Sequence, residues 1–312
     1  MLNSTCFAAV LMSYFSHAHR MDSIGGKLNR LVHHDFNMLV SGRKLSEDTI
    51  TQIIVLSEGA FYKHRMIRSK TDRRPPENTS ILLDWRIIQH IYDLHSTLLS
   101  VGVAELAVPP PSDVDVGDND KLALKITATF RRTLPGLWIA GKWLRANNGT
   151  LMKDPEYIAL SEEKKRGVEV FKEHPDKISE FSVKTIEFWS RYVDFICALA
   201  EAFPKSNLPA LTSPLDEDID MRGFLPLKKL IDTEIATHGQ TTSEKPHPNA
   251  EHLMRIHDLL EDARILAELP VGFNYVLDDR DALMSFFQEF SCQTGKRSSR
   301  FELCTHRGEM AQ

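Results

Sequence analysis

Apolar residues recur every three or four positions over most of the chain. The run Ile81, Leu82, Trp85, Ile88, Tyr92, His95 and Leu99 predicts one face of an amphipathic helix of about five turns, since 3.6 residues per turn stacks such positions above one another. Before it, Ile50, Ile53, Ile54 and Phe61 mark a second helix. Ser46 opens that helix, because its hydroxyl accepts from a free backbone N–H, and Glu47 and Asp48 complement the positive end of the dipole. From Lys121 a third run passes through Leu122, Ile126, Phe130, Leu137, Trp138 and Leu144, with a left-handed C-cap expected at Asn147-Asn148-Gly149. Pro135 lies inside it. A proline lacks the N–H and clashes with the carbonyl four residues back, so the helix kinks or a new one begins there.

The clearest pattern spans Ser179 to Phe203, where Ile186, Trp189, Val193, Ile196, Leu199 and Ala200 form a stripe widened by Phe188, Tyr192 and Phe195. Pro204 ends it. A stripe this wide needs partners on more than one side. A last helix, between Pro248 and Pro270, turns Leu253, Ile256, Leu260, Ala263 and Ala267 inward and sets Glu251 four residues before Arg255. Alternating strand patterns are nearly absent, with Phe273 to Leu277 the one short candidate. The chain therefore reads as all-α, built of antiparallel helices in a bundle or a solenoid without an exact repeat period.

Between these helices, Pro109-Pro110-Pro111 followed by Asp113, Asp115, Asp118 and Asp120 reads as an exposed loop. Ser291 to Gln312 is polar and aperiodic and reads as a mobile C-terminal tail. Residues 1–19 carry no Asp, Glu, Lys or Arg, and Cys6 to Phe15 looks like a short apolar h-region, but no positive n-region precedes it. Residues 1–24 are read as a truncated helix or remnant rather than a signal peptide.

Length and composition support an ordered core: 312 residues, 42% hydrophobic and 26% charged, with 15 Gly and 15 Pro. These values exclude a disulfide-stapled miniprotein, a collagen and a disordered chain. A net charge of −5 is the wrong sign for a surface that grips phosphates all over, so any nucleic-acid contact must be local. Residues 1–74 hold eleven Lys/Arg against six Asp/Glu, and the remainder holds 27 against 37. Cys6, Cys197, Cys292 and Cys304 lack C-x-x-C spacing, which suits a reducing compartment.

Motifs for nucleophilic hydrolysis, nucleotide binding and helical zinc sites are missing, so no enzyme, metal or cofactor is expected. Asp216, Glu217, Asp218 and Asp220 are dense enough to raise a metal-nuclease reading. Adjacent carboxylates on one loop rarely converge on an ion, and an acidic loop or helix start is the better reading. The cluster Lys63, Arg65, Arg68, Lys70, Arg73 and Arg74 follows Phe61 and Tyr62. It thus combines cations for phosphates with rings on which bases could stack, or else is a helix end running into a solvated loop.

Two segments are distinctive: Phe130-Arg131-Arg132-Thr133-Leu134-Pro135 leading to Lys142-Trp143-Leu144, and Glu217-Asp218-Ile219-Asp220-Met221-Arg222-Gly223-Phe224-Leu225-Pro226-Leu227. In this order they resemble the helical-hairpin region of the family that unites the "ever shorter telomeres" telomerase subunit with the SMG factors of nonsense-mediated mRNA decay. The resemblance covers residues 25–290. It implies an α-solenoid of irregular, TPR-like hairpins in a nuclear and cytoplasmic factor. The implied role is a non-enzymatic adaptor or scaffold of mRNA decay, linked also to telomerase, with direct single-stranded RNA or DNA binding as the alternative. The implied partners are the phosphorylated decay helicase, paralogous SMG factors or telomerase components, and no membrane. Room for the family's 14-3-3-like domain is not expected upstream, nor for a nuclease domain downstream.

Read by themselves, Gly223 permits a positive-φ turn, while Phe224, Leu225 and Leu227 can pin the loop into a groove between helices. Trp138, Trp143 and Leu144 look like packing anchors. Arg131, Arg132 and Arg222 are the residues best able to serve a ligand or partner, or to brace neighbouring helices. Gly136 and Gly141 stand where the family more often has alanine or serine, which loosens the local helix.

Overall fold

The computed structural model describes residues 24–71, 78–110, 122–151, 180–211, 214–238 and 246–268. Within them the helices are α1 (Ile24–Ser41), α2 (Glu47–Thr71), α3 (Asn78–Leu106), α4 (Ala128–Leu151), α5 (Glu180–Ala202), α6 (Asp216–Asp220), α7 (Lys228–His238) and α8 (Pro248–Glu268). No strand occurs among the described residues. The uncharged N-terminal stretch, the acidic stretch from Asp113, the Phe273–Leu277 segment and the C-terminal tail lie outside them.

Local chemistry sets the starts. Ser46 Oγ accepts from the Thr49 N–H at 3.2 Å and begins α2, and Thr127 Oγ1 accepts from the Phe130 N–H at 3.1 Å and begins α4. The ends are less faithful to the sequence reading. α4 does not stop in a left-handed cap at Asn147-Asn148-Gly149: Asn147 donates to the Trp143 carbonyl at 3.0 Å, Asn148 is buried, and the helix runs on to Leu151. Pro135 sits inside α4 and is itself buried. α3 is longer than its apolar stripe, with 29 residues.

Cross-helix contacts define two rows. Arg43 bonds Thr129 and Arg65 bonds Thr150, pairs separated by 86 and 85 residues, and a constant separation means that α2 and α4 run parallel. Trp138 with Asp258 and Lys142 with Asp262 are both 120 residues apart, so α8 runs parallel to α4 on its other side. In the second row α5 lies parallel to α3, with Tyr92 stacked on Phe188 at 4.2 Å near one end and Gly102 against Phe195 further along. α1 also packs on α3, through His33 and His90. The rows are antiparallel to each other: His64 near the end of α2 meets Asp84 near the start of α3, and Thr127 before α4 bonds Glu105 at the end of α3. α2, α4 and α8 thus form one row and α1, α3 and α5 the other, with the buried side chains of Trp138, Trp143, Trp189, Phe130 and Phe188 between them.

Gly136 and Gly141 are points where α4 touches its neighbours. A Cβ at Gly136 would lie 3.3 Å from both Ile50 and Leu98, and one at Gly141 would lie 3.3 Å from Leu259. Contact at Gly102 is closer still, 2.6 Å from an added Cβ to Phe195 Cε2. Side chains of a neighbouring helix reach the backbone this closely only where the position facing them has no Cβ.

Polar groups are also sealed among the helices, within one row and between the two. His90, His95 and Glu58 are buried, with His33 Nε2 3.1 Å from His90 Nδ1 and His95 Nε2 3.4 Å from Glu58 Oε1. Burial lowers His33, His90 and His95 each to about 3, with a smaller push from Lys184, His33 and His90 respectively, and burial raises Glu58 well above the ordinary carboxylate value.

Two outcomes follow from this packing. Gly102→Ala is expected to cost about 1–3 kcal/mol in urea denaturation, because the new methyl must displace Phe195. The depressed histidines stay neutral in the folded chain and charge in the unfolded one, so their contribution is present above pH 6.5 and is lost as pH falls toward 3. His95→Phe should therefore gain on the wild type as pH falls from 6.5 to 4.5, by up to about 1.4 kcal/mol per pH unit, read from urea midpoints.

Candidate functional site

The first distinctive segment is α4, the middle helix of its row, and every residue from Thr133 to Leu144 is buried. That includes Lys142, which has no solvent exposure. Its ammonium lies 2.8 Å from Asp258, 3.0 Å from Glu234 and 3.1 Å from Asp262, and 5.3 Å from the centre of the Trp138 ring. One turn on, Arg145 bonds Glu234 at 2.5 Å and Asp262 at 2.8 Å, while the Trp138 indole N–H donates to Asp258. Two cations thus meet three carboxylates, joining α4 to α7 and α8. Burial by itself would pull Lys142 down, but Asp262, Asp258 and Glu234 hold its ammonium above the ordinary lysine value. Complete burial, with Asp258 and Glu234 beside it, pushes Asp262 up to about 7 against the pull of Lys142 and Arg145.

The second segment forms α6 and the turns after it, and it runs across α4 from α8 to α2. Glu217 takes a two-pronged bond from the buried Arg255 of α8, which also holds Glu251 at 2.7 Å. Asp218 accepts the Leu215 N–H at 2.8 Å and closes the first turn of α6. Burial raises Asp218 to about 6, with nearby Lys142 pulling the other way. Gly223 takes φ +85, a conformation that favours glycine. Phe224 then lies over Gly59 of α2, where an added Cβ would meet its ring at 3.5 Å, and Leu227 is buried. Leu225 differs from the sequence reading: it is 54% exposed and pins nothing, and Ile219 is 52% exposed. The acidic run therefore serves as a helix start and an arginine clamp. Among the described residues no group of three His, Cys, Asp or Glu could hold a metal ion.

The predicted cations fall in different places. Lys63 is exposed, whereas Arg65 is spent on Thr150 at 2.8 Å and on the face of Phe61. The side chains of Arg68 and Lys70, and all of Arg73 and Arg74, lie outside the described residues. Arg131 and Arg222 are exposed, without an ion-pair partner among the described residues. Arg132 donates to the carbonyl of Arg43 at 3.0 Å, which ties α4 to the α1–α2 turn. This contact lies near the start of α2, well apart from Lys63 along that helix. Sequence reasoning missed Lys142, Arg145, Arg43 and Lys44. For Lys142 a clue existed, a lysine four residues after Trp138 and next to Trp143, opposite acids spaced by four on the inward face of α8.

The family described as the Est1 DNA/RNA binding domain matches residues 3–230. The chain belongs to this family. No curated protein and no solved structure matches the chain. The Est1-domain match takes in both distinctive segments, yet the acids that neutralise Lys142 lie at 234, 258 and 262, beyond its end. The packed stack of this Est1-domain protein therefore continues through α8. No helix among the described residues is long and apolar enough to cross a membrane.

Removing Lys142 leaves Asp258, Asp262 and Glu234 with Arg145 as the one remaining cation of the network. Lys142→Ala should cost about 3–5 kcal/mol in chemical denaturation, and Asp262→Asn added to it should recover part of that loss.

Proposed function

We propose that this chain is a non-enzymatic module that holds single-stranded RNA or DNA through local clusters of exposed cations, within telomerase- or mRNA-decay-linked assemblies of the nucleus and cytoplasm. The observation that carries the reading is the Est1 DNA/RNA binding domain match over residues 3–230. Charge limits the form of contact. With a net charge of −5, phosphates are held where cations lack carboxylate partners and not over the whole surface.

A second reading, an adaptor that joins decay factors such as the phosphorylated decay helicase and paralogous SMG factors, or telomerase components, is favoured by one observation. Ile219 and Leu225 face solvent on the strap over α4, and Leu56 of α2 is 46% exposed. Exposed apolar side chains on an otherwise well-packed segment suit a protein partner. The two roles are compatible, since a strand and a protein can occupy different faces of one rigid stack.

The expected result with the whole chain is binding of labelled single-stranded 20-mers that weakens steeply with salt, the slope falling by about 0.7 per phosphate contacted. Added magnesium or manganese should produce no cleavage. Absence of any retention at low salt removes the nucleic-acid reading, and a gentle pulldown from cells of the source organism that recovers neither decay nor telomerase components removes the adaptor.

A further inference from the structure

Two arginines meet where the α1–α2 turn rests on the start of α4. α1 ends with the Arg43 N–H donating to the Val40 carbonyl at 3.0 Å and the Lys44 N–H to the Leu39 carbonyl at 2.8 Å, the pattern of a Schellman turn. The left-handed residue in such a turn is usually glycine. Here it is Arg43, at φ +55, although a glycine stands next to it at Gly42. The arginine is kept at a cost in backbone strain that glycine would avoid.

Its side chain is held in place. Arg43 Nε donates to Thr129 Oγ1 at 2.6 Å, and Arg132 Nη1 donates to the Arg43 carbonyl at 3.0 Å, which sets two guanidinium-bearing residues against one turn. Bracing uses Nε and leaves both Nη groups of Arg43 without a partner among the described residues. Lys44 and Arg131, the neighbours of these two arginines in sequence, are exposed and likewise unpaired among the described residues. Elsewhere Lys142, Arg145, Lys184, Arg191, Lys205, Arg255 and Arg264 all meet carboxylates, while Lys63, Arg222, Lys228 and Lys229 are exposed singly or as sequence neighbours without the cross-helix brace that fixes Arg43 and Arg132. The acids at this end include Glu105, bonded to Thr127, and Glu47, which lies among Arg255, Glu217, Asp48 and Glu251; none forms an ion pair with Arg43 or Arg132 among the described residues.

Like charges fixed together without a counterion repel, and an oxyanion between them relieves that repulsion while taking the open guanidinium N–H groups in pairs. We propose that Arg43 and Arg132 bind the backbone phosphates of single-stranded RNA or DNA. This rests on the nucleic-acid reading above and gives it a location. Phe130, next to Arg131 in sequence, has no exposure and offers no face to a base, and contacts to phosphates alone should hold strands with little sequence preference.

The test measures anisotropy of labelled single-stranded 20-mers with the full chain, three single variants, one double variant and a Lys63, Arg68 and Lys70 replacement. Arg43→Gly suits the left-handed turn and removes the guanidinium; Arg132→Gln keeps a donor for the Arg43 carbonyl and removes the charge; Arg191→Gln, whose residue pairs with Glu187 on α5, is the control. Arg43→Gly is expected to melt within a few degrees of the wild type, to bind about fivefold or more weakly, and to have a salt slope shallower by about 0.7. Combining it with Arg132→Gln should lower affinity by about twentyfold or more, while the control binds as the wild type does. If the double variant melts early, the single Arg43→Gly decides. Wild-type affinity and slope in Arg43→Gly and in Arg132→Gln overturn this site while leaving nucleic-acid binding intact, as does loss of binding only when Lys63, Arg68 and Lys70 are replaced. A wild-type chain that binds neither RNA nor DNA at low salt overturns both readings. Binding of a phosphoserine peptide in preference to the 20-mers overturns the assignment to a nucleic-acid backbone.

Discussion

Lys142 sits at the centre of its helical row with no access to water, and an ammonium group in that position remains tolerable only because three carboxylates converge on it. The consequences reach well beyond one side chain. Asp258 and Asp262 are one turn apart on α8, so satisfying Lys142 sets both the distance and the register between α4 and α8. Glu234 draws α7 onto the same point, and Arg145 repeats the contact one turn later. Apolar packing alone would let α8 slide along α4 at modest cost. A buried charge does not, because any slip leaves an ion without its partner.

The strap from Asp216 to Leu227 closes over this arrangement. Its hold comes from unlike interactions at its two ends: an arginine clamp between Glu217 and Arg255 on α8, and the ring of Phe224 over Gly59 on α2. Between them lies α4 with its lysine. The two distinctive sequence segments therefore form one structural unit, in which the strap spans the row that the lysine network aligns. The apolar side chains it leaves outside, Ile219 and Leu225, are then carried on a rigid support. Rigidity of this kind lowers the ordering cost of a protein contact.

Buried charge is matched in this protein, while part of the surface charge is not. Inside, cations are matched with carboxylates; at the α1–α2 turn and the first turns of α4 they are not. The opposition separates residues that shape the stack from those available to a ligand, and it divides the basic cluster of α2, where Arg65 is bound to Thr150 while Lys63 faces water. The membership in the Est1 DNA/RNA binding domain family and the overall negative charge are reconciled by this contrast, since a chain of net charge −5 can still expose small groups of unopposed cations.

The periodicity of Ile50 to Phe61, Trp85 to Leu99 and Phe188 to Ala200 determined by itself that the chain is helical and which faces turn inward, because burial on a 3.6-residue period is a local property. Family kinship was legible for a similar reason, in short contiguous segments, as was the positive-φ role of Gly223. Other features arise between residues far apart in the chain. The partners of Lys142 lie about a hundred residues on, Gly136 and Gly141 are helix crossings only once α2, α3 and α8 are in place, and Leu225 faces water because Phe224 takes the groove. Arg43 and Arg132 become neighbours only when α2 and α4 run parallel. Tertiary structure decided these, since a side chain's charge is written in the sequence but its neutralising partner is chosen by how the helices pack.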